Sequence, residues 1–111
     1  NTYYDNSVIK SFRNKAMRKI DPIHPGITLR EDFMEPYDLS ASRLARDLWV
    51  PRNRISYILR GRRGVTADTT TRLERAFGVS AEFWLNLQQH HDLILAQRRA
   101  KALDTIKPVA A

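Results

Sequence analysis

The sequence has no cysteine, so disulfides, thiol nucleophiles and every cysteine-ligated metal site are excluded together. Long apolar runs are also missing; the longest reach four residues, as in Leu93-Ile94-Leu95-Ala96, far short of a membrane span or a signal sequence. The expectation is a soluble, cytoplasmic chain with no membrane partner. No Gly-rich phosphate loop, nucleophile elbow or Ser/His/Asp arrangement is present, so no catalytic residue is expected. His90 and His91 are adjacent and diverge on a helix, with no carboxylate or Cys at ligand spacing, which argues against a zinc site. Neither a metal nor a cofactor is expected. β-alternation is absent too, and the chain reads as all-α.

What is abundant is positive charge. A net charge of +7 over 111 residues, with a pI near 10.2, predicts attraction to polyanions. Its distribution is uneven. From Ala41 to Arg63 there are seven arginines (Arg43, Arg46, Arg52, Arg54, Arg60, Arg62, Arg63) against the single acid Asp47. From Ile23 to Ser40 the balance reverses, with Glu31, Asp32, Glu35 and Asp38 against Arg30. Concentrating cations on one segment is what a phosphate-binding footprint requires.

Punctuation divides the chain into an extension or arm (residues 1–22), one helical domain (23–101) and a tail (102–111). Asp21-Pro22-Ile23-His24-Pro25-Gly26 reads as a turn-rich lead-in. A first helix is predicted from Ile27 or Thr28 to Glu35, with Leu29 and Phe33 inward and His24 packing or capping near its start. Ser40 caps a second helix to about Leu48, with Leu44, Ala45 and Leu48 on one face. After a short connection at Trp49 and Val50, Pro51 takes the first position of a third helix reaching Arg60. Ile55, Ile58 and Leu59 point inward there, and Gly61 supplies a left-handed C-cap. Thr66 caps a fourth helix, with Leu73, Ala76 and Phe77 inward and Gly78 at its end. Ser80 caps the last and longest, from Ala81 to about Ala100.

Two short helices joined by three or four residues form a helix-turn-helix. With Ala41 as its first position, Ala45 falls at the fifth, Ile55 at the fifteenth and Ile58 at the eighteenth, where the motif wants a small residue and two branched apolar ones. The ninth position, usually Gly, holds Trp49, so the turn conformation is left open. The arginine-rich segment coincides with this unit.

Residues 24–95 resemble the HigA-type antitoxins, a branch of the lambda-repressor-like (XRE) proteins. The resemblance is carried by His24-Pro25-Gly26, Leu29-Arg30-Glu31, Leu44-Ala45, Asn53-Arg54-Ile55-Ser56 and Arg60-Gly61-Arg62-Arg63. It continues through Thr66-Ala67-Asp68-Thr69, Arg72-Leu73, Phe77-Gly78, Asp92-Leu93 and, most specifically, Glu82-Phe83-Trp84-Leu85-Asn86-Leu87-Gln88. It opens near Met17. It implies a five-helix homodimer without catalytic activity that binds double-stranded operator DNA and neutralises a RelE-fold, HigB-like mRNA endonuclease toxin. The Gln usual at the start of the second helix is replaced by Ser40-Ala41, so that contact is either missing or supplied by Ser42 or Arg43.

Within this frame Arg52, Asn53, Ser56 and Tyr57 lie on the solvent face of the recognition helix, where Arg can pair with guanine and Asn with adenine. Arg54 either reads a base as well or pairs with a neighbouring acid. Ser42, Arg43, Arg60, Arg62 and Arg63 are assigned to phosphates. Trp84, Leu87 and Leu93 are the candidate dimer residues, with the monomer core an equal alternative for Trp84 and Leu87. A stand-alone phage-type repressor without a toxin partner, or a pure protein-interaction module, are the rival readings; the arginines of the recognition helix favour a DNA reader.

Overall fold

The computed structural model describes residues 22–100 and 102–110; the expectations for the N-terminal arm before Pro22 lie outside them. Five helices and no strand occur among the described residues. The first, α1, opens as Pro25–Thr28, widens into a π-helical stretch Leu29–Met34 and tightens into a 3-10 turn, Glu35–Tyr37. It is followed by α2 (Ala41–Leu48), α3 (Arg52–Leu59), α4 (Ala67–Phe77) and α5 (Ala81–Arg99), with one more 3-10 turn, Leu103–Thr105, in the tail.

The caps explain the boundaries. Ser40, Thr66 and Ser80 each sit before their helix and accept the amide of the third residue on, from Arg43, Thr69 and Phe83. Gly61 and Gly78 adopt φ of 72° and 78°, the left-handed conformation that terminates α3 and α4. α1 starts two or three residues earlier than the expected Ile27 or Thr28. Pro25 holds His24 extended (φ −69°, ψ 140°), which is the geometry of an N-cap, and His24 Nδ1 accepts the Gly26 amide at 2.9 Å. Pro51 is likewise the extended residue before α3, one position short of the helix.

The π-helical widening brings Leu29, Phe33 and Met34 onto one buried face. They meet Leu44, Ala45 and Leu48 from α2, Ile55 and Ile58 from α3, Leu73 from α4, and Trp84 and Leu87 from α5 in one core. Phe33 lies 5.0 Å from the Trp84 ring and 5.2 Å from Phe77, tilted geometries that suit aromatic quadrupoles. Gly26 lets α1 touch the end of α3, because a Cβ there would overlap the Ile58 carbonyl. Ala76, expected inward, is exposed, while Phe83, Phe77 and Leu59 are half-buried at the core margin.

The dimer assignment needs correcting for two residues. Trp84 is fully buried and Leu87 nearly so within this single chain, so neither offers surface to a second copy. The aromatic cluster around Phe33 takes Trp84, and Leu87 belongs to the same core. Leu93 is 54% exposed.

Candidate nucleic-acid interface

Ala45 is the small residue that lets α2 and α3 cross, and its carbonyl accepts the Val50 amide at 3.0 Å, closing the turn between them. Trp49 stands in that turn at φ 61°, ψ 43°, so it occupies the left-handed conformation for which the motif usually provides Gly. A side chain there costs about 1–2 kcal/mol. The turn is enforced from outside: Arg72 of α4 donates through Nη1 to the carbonyls of Leu48 (2.8 Å) and Trp49 (3.4 Å).

The same arginine belongs to a wider network. Asp68, in the first turn of α4, accepts from Arg72 Nε at 3.1 Å and from Arg54 Nη1 at 2.6 Å. Hydrogen bonds from Arg72 and then Arg54 hold the Asp68 carboxyl below its ordinary value. Arg54 is therefore turned along the domain toward α4 and makes the acid pairing weighed as its alternative.

Arg52 and Asn53 are exposed on the first turn of α3, and Ser56 lies half-buried one turn later. Tyr57 is more committed than expected: its carbonyl accepts the amides of Arg62 (2.9 Å) and Arg63 (3.3 Å), and the Arg63 guanidinium sits 5.3 Å from its ring centre. Arg60, Arg62 and Arg63 are exposed in the loop that follows. Ser42 and Arg43 are exposed at the start of α2, where Arg43 approaches Asp47 at 3.8 Å across one helical turn. Such an exposed pair contributes little and leaves the guanidinium available to an anion.

Sequence reasoning did not anticipate what steadies this loop. Gln88 of α5 accepts the Val65 amide at 2.8 Å and donates to Asp92 at 2.9 Å. Gly64 leaves the room for that side chain, since a Cβ there would press on Gln88. His24 stacks edge-on against His91, with ring centres 5.0 Å apart, and bonds to the backbone at Arg63. Burial first, then His91, lower the His24 pKa; Asp92 and the Arg63 bond oppose them. Asp68, Arg72, Gln88 and His24 were all among the residues carrying the resemblance, which was the available signal, though it did not say what they touch.

Comparison with known proteins agrees with this geometry. A helix-turn-helix family (HTH_3) matches residues 31–84. Virulence-associated protein I of Dichelobacter nodosus is 46% identical over 88 residues, 79% of this chain and 82% of that protein. Among solved structures, the Pseudomonas aeruginosa antitoxin HigA with the higBA promoter superposes with a TM-score of 0.74 at 40% identity, covering 80% of this chain and 99% of that one. The antitoxin GraA in complex with its operator gives 0.75, also at 40%, over 81% and 93% of the two chains.

Proposed function

This chain belongs to the HigA-type branch of the XRE helix-turn-helix family, and from that premise we propose that it is an operator-binding antitoxin that represses its own operon. Arg52, Asn53 and Ser56 read base edges in the major groove, while Ser42, Arg43, Arg60, Arg62 and Arg63 hold phosphates on either side. The observation that carries this reading is the exposure of Arg52 and Asn53 at the first turn of α3, in a helix-turn-helix whose relatives have been solved on promoter and operator DNA. Tyr57 contributes by shaping the Arg62–Arg63 loop.

A single short recognition helix specifies few base pairs, so the functional unit is a two-fold dimer. With Trp84 and Leu87 spent on the core, its contact is the shallow apolar groove of α5 lined by Leu85, Gln88, Gln89, Asp92, Leu93 and Ala96. The toxin, a RelE-fold HigB-like nuclease, is assigned to the α1 side, where Glu31, Asp32, Glu35 and Asp38 suit a basic partner.

Two experiments test the reading. Titration of a duplex covering the region upstream of the chain's own reading frame should give binding at least about a thousandfold tighter than to a scrambled duplex at physiological salt. Equal affinity for both removes the repressor role. Co-expression with a neighbouring RelE-like gene should yield a stable complex and restore growth; if the products neither bind nor neutralise, the chain is a stand-alone repressor.

A further inference from the structure

Trp49 is 87% exposed, yet its backbone is hydrogen-bonded at both its amide and its carbonyl. Its amide is bonded into the end of α2, at the Ala45 and Arg46 carbonyls, and its own carbonyl is gripped by Arg72. A large ring is thus presented to water from a fixed backbone, at a position where a residue without a side chain would relieve the backbone. Beside it runs a shallow groove lined by Asp47, Leu48, Arg72, Arg75 and Ala76, with two arginines against one acid. The turn leads in three residues to Arg52 and in four to Asn53, so along the chain this corner adjoins the residues assigned to DNA.

We propose that Trp49 and this groove form an accessory seat for the sugar–phosphate backbone of DNA beside the recognition helix. A lone aromatic ring in a groove shared with Arg75, Arg72 being engaged by Asp68, matches a flat apolar sugar or base edge carrying negative charge. A protein partner would call for a broader apolar patch, and Ala76 and Leu48 extend the ring only slightly. The contact adds affinity without reading sequence, and it is particular to this chain because the turn usually carries Gly. The inference rests on the reading of the chain as a DNA binder.

The test uses the full chain and the duplex upstream of its reading frame. Trp84 and Trp49 are the two tryptophans, and Trp84 Nε1 has no acceptor among the described residues, so Trp84→Phe removes an unpaired group and leaves Trp49 as the sole tryptophan, read by selective indole excitation. In that variant acrylamide should quench Trp49 strongly in free protein and weakly in the DNA complex. Independently, Trp49→Gly should keep or raise the melting temperature while weakening binding to upstream and scrambled duplexes alike by about fivefold, the lower range for an aromatic contact with nucleic acid. If wild type binds the duplex but Trp49→Gly binds equally well and Trp49 stays quenchable in the complex, the seat does not exist, although the DNA reading stands. Shielding of Trp49 by a co-purified toxin and not by DNA also overturns the proposal. Failure of the wild type to bind any duplex defeats the underlying reading itself.

Discussion

Arg52 and Asn53 leave the first turn of α3 outward, so each can be truncated without opening the core. Asn53→Ala should relax preference at one operator position, a bidentate base contact contributing about 1–3 kcal/mol of discrimination. Arg62→Ala, beyond the helix end, should weaken operator and scrambled duplexes equally and flatten the log–log salt slope by about 0.9 for each phosphate it no longer neutralises. A competition series against single-base operator variants separates the two; a change of sequence preference in Arg62→Ala alone would reverse the docking orientation. His24 makes a second residue-scale case. Neutral, its Nδ1 accepts the Gly26 amide; protonated, it becomes a donor and loses the cap. Its folded pKa lies below the ordinary value near 6.5, so the unfolded chain binds the proton more readily between the two. Stability is therefore full above about 6.5 and falls as pH drops toward the folded value. His24→Asn keeps an acceptor and does not titrate, so its melting temperature should vary less between pH 7 and 5. An unchanged slope would clear His24 of any part in acid sensitivity.

At the scale of the element, the recognition helix is aimed by contacts far away in sequence. Arg54 ties α3 to Asp68, and Arg72 ties Asp68 to the carbonyl end of α2, so one carboxylate holds both halves of the helix-turn-helix to α4. Asp68→Asn should leave the helix content and melting temperature close to wild type, because these groups are largely exposed. It should nevertheless raise affinity for scrambled DNA, by removing one negative charge and releasing Arg54, and reduce the ratio of upstream to scrambled binding. Measured ratios equal to wild type would show that α3 needs no such fixing. The local half of this architecture was legible in the sequence. Ser40, Thr66 and Ser80 act on amides three residues away, so their caps follow from neighbours alone. Three other features depended on distant partners. Trp49 is left-handed because Ala45 and Arg72 hold its turn; Trp84 is internal because Phe33 arrives to cover it, and Leu87 because the core closes over it; and Arg54 is engaged because α4 passes beside it. A spacing of three or four residues reveals a face, not what lies against it.

Charge is distributed unevenly over the whole molecule. An acidic stretch lies on α1 and the turn after it, the densest group of arginines on α2, α3 and the loop after them, and the apolar groove along α5. Gln88 links two of these surfaces, lining the α5 groove while bonding the Val65 amide next to the arginine loop. Pairing through α5 would therefore set the loop as well as the spacing of two recognition helices. Leu93→Glu should drop the mass in light scattering to the 12.9 kDa of one chain and weaken operator binding by more than about tenfold. A monomer that keeps wild-type affinity would show that pairing through α5 has no part in DNA binding. Entry of α3 into the major groove as one of a symmetric pair is open to hydroxyl-radical footprinting on the upstream duplex. Two equivalent protections should appear on one face of the DNA, about 34 Å or a whole multiple of that apart. A single asymmetric protection, or none at concentrations that also coat scrambled DNA, would rule out the symmetric pair.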